Sequence, residues 1–235
     1  MGNLNSENTS TPIDYFFRGG FSVNIVILSY HQGKLKILLQ EKEEPIRGEI
    51  GLIGKLMLVN EGTDLALEKL LQGTLGFHDF YKKQLTAFSE VDRHPLGRVV
   101  SFAYYGLVPW EHFEQVKSQK LIWHDLYDCP GLCYDHNKIL KTVIKRFRKG
   151  LLRHPTVFEL LSNEFIISDV LKIYEQAFSK KIDSPNFRKQ IRKSKLVLPL
   201  GKFLDTKRPP GRRPELYVFD KARYKQMKDN VQFNF

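Results

Sequence analysis

Gly54-Lys55-Leu-Met-Leu-Val-Asn-Glu61-Gly-Thr63-Asp64-Leu-Ala-Leu67-Glu-Lys69-Leu70-Leu71-Gln72-Gly73-Thr74-Leu75-Gly76-Phe77 is the most informative stretch of this chain. Leu67, Leu70, Leu71 and Leu75 recur at three- and four-residue intervals, which predicts a helix over 64–74 with Thr63 as its N-cap and Gly76 closing it. Upstream, 21–30 and 34–40 are β-rich runs around His31-Gln32-Gly33, a tight-turn sequence, and predict a hairpin. Downstream, strands are expected at 84–88, 98–108 and 121–123. Asp135 then caps a helix in which Ile139, Leu140, Val143, Ile144 and Phe147 oppose Lys141, Lys145 and Arg148. Strands and helices in this order predict an α+β fold or an α/β/α sandwich for the body, 13–153, behind a polar leader at 1–12 expected to be disordered.

His154-Pro155 marks a joint, after which the pattern changes. Ser168 is placed to cap a helix over 169–178, and Asp183 or Ser184 to cap one that opens with Pro185, the favoured first helical position. Phe187 and Ile191 lie four apart on one face, leaving Arg188, Lys189, Arg192 and Lys193 outward. Two β-like runs, 195–200 and 215–219, flank a basic loop. Two short helices joined by a tight connection give a helix-turn-helix signal within 154–235.

The chain has 235 residues, 42% apolar and 12% aromatic, enough to bury a real core. From 181 to 235 there are 15 Lys and Arg against 5 Asp and Glu, so nearly all of the +11 net charge sits in the last quarter. A near-neutral body with one basic appendage suits a polyanion-binding module, with an anionic membrane surface as the rival partner. Apolar stretches are too short to span a bilayer, and no leader with a long apolar core opens the chain, so a cytoplasmic protein without membrane attachment is expected. Cys129 and Cys133, four apart with no second Cys or His pair at zinc-finger spacing, read as free buried thiols despite His124 and His136 nearby.

The first stretch resembles the signature of the Nudix family: a Gly, a Glu six residues on, Arg-Glu-hydrophobic-any-Glu-Glu ending a helix, then any-Gly-hydrophobic. With Gly76-Phe77 at the close, Glu61 takes the first Glu and Leu71 the inner hydrophobic position. Lys55 stands at the first Gly, and the catalytic run reads Lys69-Leu70-Leu71-Gln72-Gly73-Thr74, with all three helix glutamates absent. Nudix hydrolysis needs hard divalent cations held by those carboxylates, which Leu, Gly and Thr cannot replace. No catalytic residue, metal ligand or cofactor is therefore assigned.

A second stretch, Glu90-Val-Asp92-Arg93-His-Pro-Leu-Gly-Arg98-Val-Val-Ser101-Phe-Ala-Tyr-Tyr105, resembles a segment of Nudix-related transcriptional regulators. Asn186-Phe-Arg-Lys189 and Gly211-Arg-Arg-Pro-Glu-Leu-Tyr217 resemble the recognition segment and wing of the same group's C-terminal winged helix. The resemblance implies a ligand-responsive transcription regulator, homodimeric on a palindromic operator in double-stranded DNA. Asn186, Arg188, Lys189, Arg192 and Lys193 would face the major groove. Lys207, Arg208, Arg212 and Arg213 would follow the backbone or enter the minor groove. Glu61, Arg93, Arg98, Ser101 and Tyr105 would line a sensor pocket for a small effector, a sugar such as L-arabinose in the branch matched best, or an ADP-ribose-like molecule. Arg93 pairing with Asp92 or with backbone is the plainer alternative for that residue. The competing functions are a Nudix hydrolase with residual or altered activity on a nucleoside diphosphate derivative, and a constitutive DNA- or RNA-binding protein.

Overall fold

The computed structural model describes residues 19–43, 47–95, 97–116, 118, 120–205 and 213–227; the leader expected at 1–12 lies outside them. The hairpin forms as β1 (Gly20–His31) and β2 (Lys34–Glu41). Its turn, Gln32-Gly33, has φ of 49° and 80°, the pair of positive values that matches the twist of a two-residue hairpin. Two short strands follow, β3 (Ile50–Gly51) and β4 (Ile53–Leu56), then α1 (Thr63–Leu75), β5 (Tyr81–Phe88), β6 (Val99–Leu107), β7 (Leu121–Asp125) and α2 (His136–Arg153). The sheet runs β3-β2-β1-β6-β5, with β4 also on β1 and β7 also on β2. β1 and β6 are parallel from Gly20 opposite Val99 to Leu28 opposite Leu107, and every other pairing is antiparallel.

Both faces of this sheet are covered, which is why β1 is almost continuously apolar. Alternation along β1 sends Val23, Ile25 and Ile27 toward α1, where they meet Ala66, Leu67 and Leu71. Val26, Leu28 and Tyr30 point the other way, into a core with Ile139, Val143 and Phe147 of α2. That second core runs on without a break. α2 ends at Arg153, with His154 extended, and a 3₁₀ turn, Thr156–Leu160, leads into α3 (Ile167–Phe178) and α4 (Ser184–Lys193). The hairpin β8 (Val197–Phe203) and β9 (Glu215–Phe219) and the short α5 (Lys221–Met227) complete the second part. Phe158, Phe187, Ile191 and Tyr217 belong to the same apolar cluster as Val26, so the two parts share packing rather than hanging on a free linker.

Several local expectations are corrected. Thr63 and Ser168 lie inside the first turns of α1 and α3, with Gly62 and Ile166 at the caps, and none of these helices has a side-chain cap bond. Asp183 holds the cap position of α4 and Asp135 that of α2, again without a capping bond; the Asp135 carboxylate is engaged by Arg93 instead. β8 begins at Val197 rather than 195, because Lys195 has φ 56°, which no strand accommodates. β3 and β4 were not anticipated; neither is long enough to show an alternating pattern.

Candidate functional site

Glu61 sits at the foot of α1 with its side chain 1% exposed. Its carboxylate accepts from Lys55 at 3.0 Å, Lys69 at 3.1 Å and the Leu58 backbone N–H at 3.2 Å. The Lys55 ammonium, the Leu58 N–H and the Lys69 ammonium together hold its pKa down at about 2. Two ammonium groups therefore stand where a Nudix site needs a divalent cation, and α1 offers only Leu70, Gly73 and Thr74 at the other ligand positions. These residues do not fit a hard metal ion. Among the described residues no three His, Cys, Asp or Glu side chains come together to hold one. Cys129 and Cys133 are both free; Cys133 is buried and Cys129 half-buried.

Beside this cluster opens a pocket of about 160 Å³, lined by Ser22 and Asn24 of β1, Lys42, Lys55, Arg93 and His136. Gly54 forms part of its wall at close approach: a Cβ there would lie 2.1 Å from Asn24 Oδ1 and 2.9 Å from the Val23 carbonyl. Arg93 is not paired with Asp92. It makes a buried bidentate bridge to Asp135, at 2.7 and 3.0 Å, which ties the loop before β6 to the start of α2. His136 accepts the Leu52 N–H on Nδ1 at 3.1 Å, and burial together with Lys42, Arg93 and His94 pushes its pKa down to about 3, so the ring is neutral. Tyr134, at φ 55°, is a bulky residue held in the left-handed region, stacked on His94 at 4.8 Å. Such strain costs about 1–3 kcal/mol and survives only where neighbours over-determine it, a frequent property of ligand clamps.

Of the other sequence-predicted lining residues, Ser101 is fully buried and accepts from Asn24 Nδ2 at 2.6 Å, so it supports the wall from behind. Tyr105 and Arg98 do not reach the pocket. Tyr105 packs in the core against Tyr81, and Arg98 is half-buried, donating to the Ser89 carbonyl at 2.6 Å. Sequence reasoning missed Asn24, Lys42, Tyr134 and His136. Ser22 and Asn24 did carry a signal, as polar residues inside an otherwise apolar strand; Lys42 carried none.

In the second part, α4 buries Phe187 and Ile191 and leaves Asn186, Arg188, Lys189 and Lys193 exposed. Arg192 is exposed as well but engaged: it donates to the Tyr217 hydroxyl at 2.9 Å and lies over that ring, while the hydroxyl donates to Glu215. Lys207, Arg208 and Arg212 lie outside the described residues. Arg213 approaches Asp205 at 3.5 Å. No described helix is long and apolar enough to cross a membrane.

Architecture and site residues together define a Nudix-like domain, its box stripped of metal ligands, followed by a winged helix. Residues 157–219 match the family model of the NrtR DNA-binding winged helix domain. NrtR of Shewanella oneidensis, solved in complex with a 27mer DNA, superposes with a TM-score of 0.75 at 22% identity, over 85% of this chain and 93% of that one. The Nudix domain of the same protein, solved with ADP ribose, gives 0.51 at 22% identity over 59% of this chain and 94% of that one. An ADP-ribose pyrophosphatase of Methanocaldococcus jannaschii is 26% identical over 115 residues, 48% of this chain and 68% of that protein.

Proposed function

We propose that this chain is a DNA-binding transcription regulator whose Nudix-like domain, 13–153, binds a small metabolite and thereby tunes operator affinity of the winged helix, 154–235. The observation that carries the reading is α4: an amphipathic helix with Asn186, Arg188, Lys189 and Lys193 outward, inside the segment that matches a DNA-binding winged helix. The protein is not a hydrolase in this reading, because Glu61 is neutralised by Lys55 and Lys69 and the helix glutamates are absent. The effector is a small polar metabolite, a sugar such as L-arabinose or an ADP-ribose-like molecule. The 160 Å³ pocket suits a sugar-sized group, and a crevice of about 750 Å³ on the far side of Arg93 and Tyr134 gives a larger molecule room.

Binding is proposed as a homodimer on palindromic half-sites about one helical turn apart. Fluorescence anisotropy on the protein's own promoter fragment tests it. Affinity should fall steeply with salt, each phosphate contact adding about 0.9 to the log–log slope, and Arg188→Ala should weaken it by about 1–3 kcal/mol. Binding that ignores both salt and Arg188 removes the regulator reading. Metal-dependent turnover of ADP-ribose lost in Glu61→Gln would restore the hydrolase.

A further inference from the structure

The outer face of α2 carries a charge pattern that neither the cleft nor the winged helix uses. Over His136–Arg153 the helix holds seven Lys and Arg and no Asp or Glu, and the acid just before it, Asp135, is taken by Arg93. Ile139, Val143, Phe147 and Leu151 fill the core, which leaves Lys138, Lys141, Lys145, Arg146, Lys149 and Arg153 exposed. Lys141, Lys145, Lys149 and Arg153 follow one another at four-residue intervals, about 6 Å apart along the axis, as a single row. Among the described residues no carboxylate lies within ion-pair distance of any of these six. The row works against its own helix. Like charges four apart repel, and Lys138 stands in the first turn, at the positive end of the helix dipole. Only Arg153, in the last turn, gains from the opposite end. A polyanion laid along the row would turn that repulsion into attraction.

Resting on the reading of this chain as a DNA-binding protein, we propose that the exposed face of α2 is a second DNA-contact surface, outside the winged helix, which takes the phosphate backbone of duplex flanking the half-site held by α4. Duplex DNA presents a dense line of phosphates, the counterpart of an unpaired row of ammonium and guanidinium groups. An anionic membrane would need an apolar strip to insert, but the apolar side of α2 is spent in the core, and Leu152 is its one large apolar side chain left exposed. A protein partner is a poor match for a face so rich in lysine and without an aromatic anchor. The face also leads toward α4. Arg148, at its rim, donates to the Ala177 carbonyl near the end of α3. Just past that helix Lys180 and Lys181 are exposed, Lys181 lying 3.8 Å from Glu175, and α4 starts at Ser184.

Fluorescence anisotropy on the full chain tests this with three duplexes: a minimal operator, the same operator extended by about two helical turns on each side, and a scrambled duplex of the longer length. Unmodified protein should bind the extended operator about tenfold or more tightly than the minimal one. The combined variant Lys141→Gln, Lys145→Gln, Lys149→Gln should lose that gain and bind the minimal operator within about twofold of wild type. It should also lower the log–log salt slope on the extended duplex by about 2 to 3, and bind the scrambled duplex about tenfold more weakly. Arg188→Ala, by contrast, should weaken both operators alike. Equal affinity of unmodified protein for the two operator lengths overturns the proposal, and that comparison stands even if the variant fails to fold. So does a combined variant that keeps wild-type affinity for the extended and scrambled duplexes, or one that loses equally on minimal and extended operators. Loss of binding to phosphatidylserine-containing vesicles with DNA affinity intact assigns the face to a membrane and overturns it too. A failed regulator reading shows separately, as no preference for operator over scrambled duplex and a silent Arg188→Ala, while the scrambled duplex still reports on the row.

Discussion

His136 shows how a single side chain at the cleft reports on folding. The unfolded ring titrates near 6.5 and the folded one near 3, so between those values the unfolded chain binds a proton that the native one refuses. Stability contributed by the neutral ring is complete above about pH 6.5 and is lost as pH falls toward 3, at up to about 1.4 kcal/mol per pH unit for one proton. Glu61 acts in the same direction but only below its unfolded value of 4.5, which leaves the window from 6.5 to 5 to histidine. Urea denaturation of the wild type should therefore weaken across that window, and His136→Asn should flatten the dependence while lowering stability at pH 7. An unchanged slope in the variant contradicts the neutral, buried assignment. Gly54 gives a second expectation at this scale. A methyl there meets the Val23 carbonyl, which is backbone and cannot swing aside, so Gly54→Ala should cost about 1–3 kcal/mol in the same assay.

Among the elements, α4 and the wing hairpin are linked through Arg192, Tyr217 and Glu215 rather than standing apart. Arg188 and Arg192 should consequently differ. Arg188→Ala should reduce DNA affinity with the melting temperature unchanged, whereas Arg192→Ala and Tyr217→Phe should loosen the helix against the wing and lower the melting temperature as well. Equal behaviour of the two arginines in paired anisotropy and thermal melts refutes the distinction. The helices were legible because burial imposes a three- to four-residue period, as at Ile139, Val143 and Phe147 or Phe187 and Ile191. Of their caps, Asp135, Asp183 and Gly76 stand where the sequence put them, but neither aspartate makes a capping bond, and the Asp135 carboxylate is held by Arg93 instead. β3 and β4, too short for any periodicity, owe their place to pairing with β2 and β1. The cleft was half legible: the missing box glutamates stood in the sequence, but Arg93 meeting Asp135 across 42 positions is a product of tertiary structure alone.

At the scale of the whole molecule, the two parts meet through a few polar contacts set in the shared apolar core. The Gln176 side chain of α3 accepts the Leu35 N–H at 2.9 Å and donates to the Gly33 carbonyl at 2.7 Å, so one amide grips the hairpin turn from both sides. Tyr30 donates to Asp169 at 3.0 Å, Tyr174 donates to the Leu151 carbonyl of α2 at 2.8 Å, and Arg148 of α2 donates to the Ala177 carbonyl. A groove of about 760 Å³, lined by Gly33, Leu35, Asp125, Lys172 and Gln176, lies beside this clamp. If the cleft takes an effector, as proposed, any displacement of β1 or α2 would pass to α3, and so to the neighbouring α4, through these contacts. Coupling of this kind is typically worth about 1–3 kcal/mol. Gln176→Met should remove both clamp bonds and leave the Leu35 N–H unpaired, costing about 1–3 kcal/mol of stability. It should also shrink the effector-induced change in DNA affinity toward onefold, with effector and DNA each still bound at near wild-type strength when measured alone. Gln176→Glu keeps the acceptor and loses the donor, and should fall between. If Gln176→Met destabilises the fold but leaves the effector response intact, the clamp is structural and coupling runs through α2 and Arg148 instead.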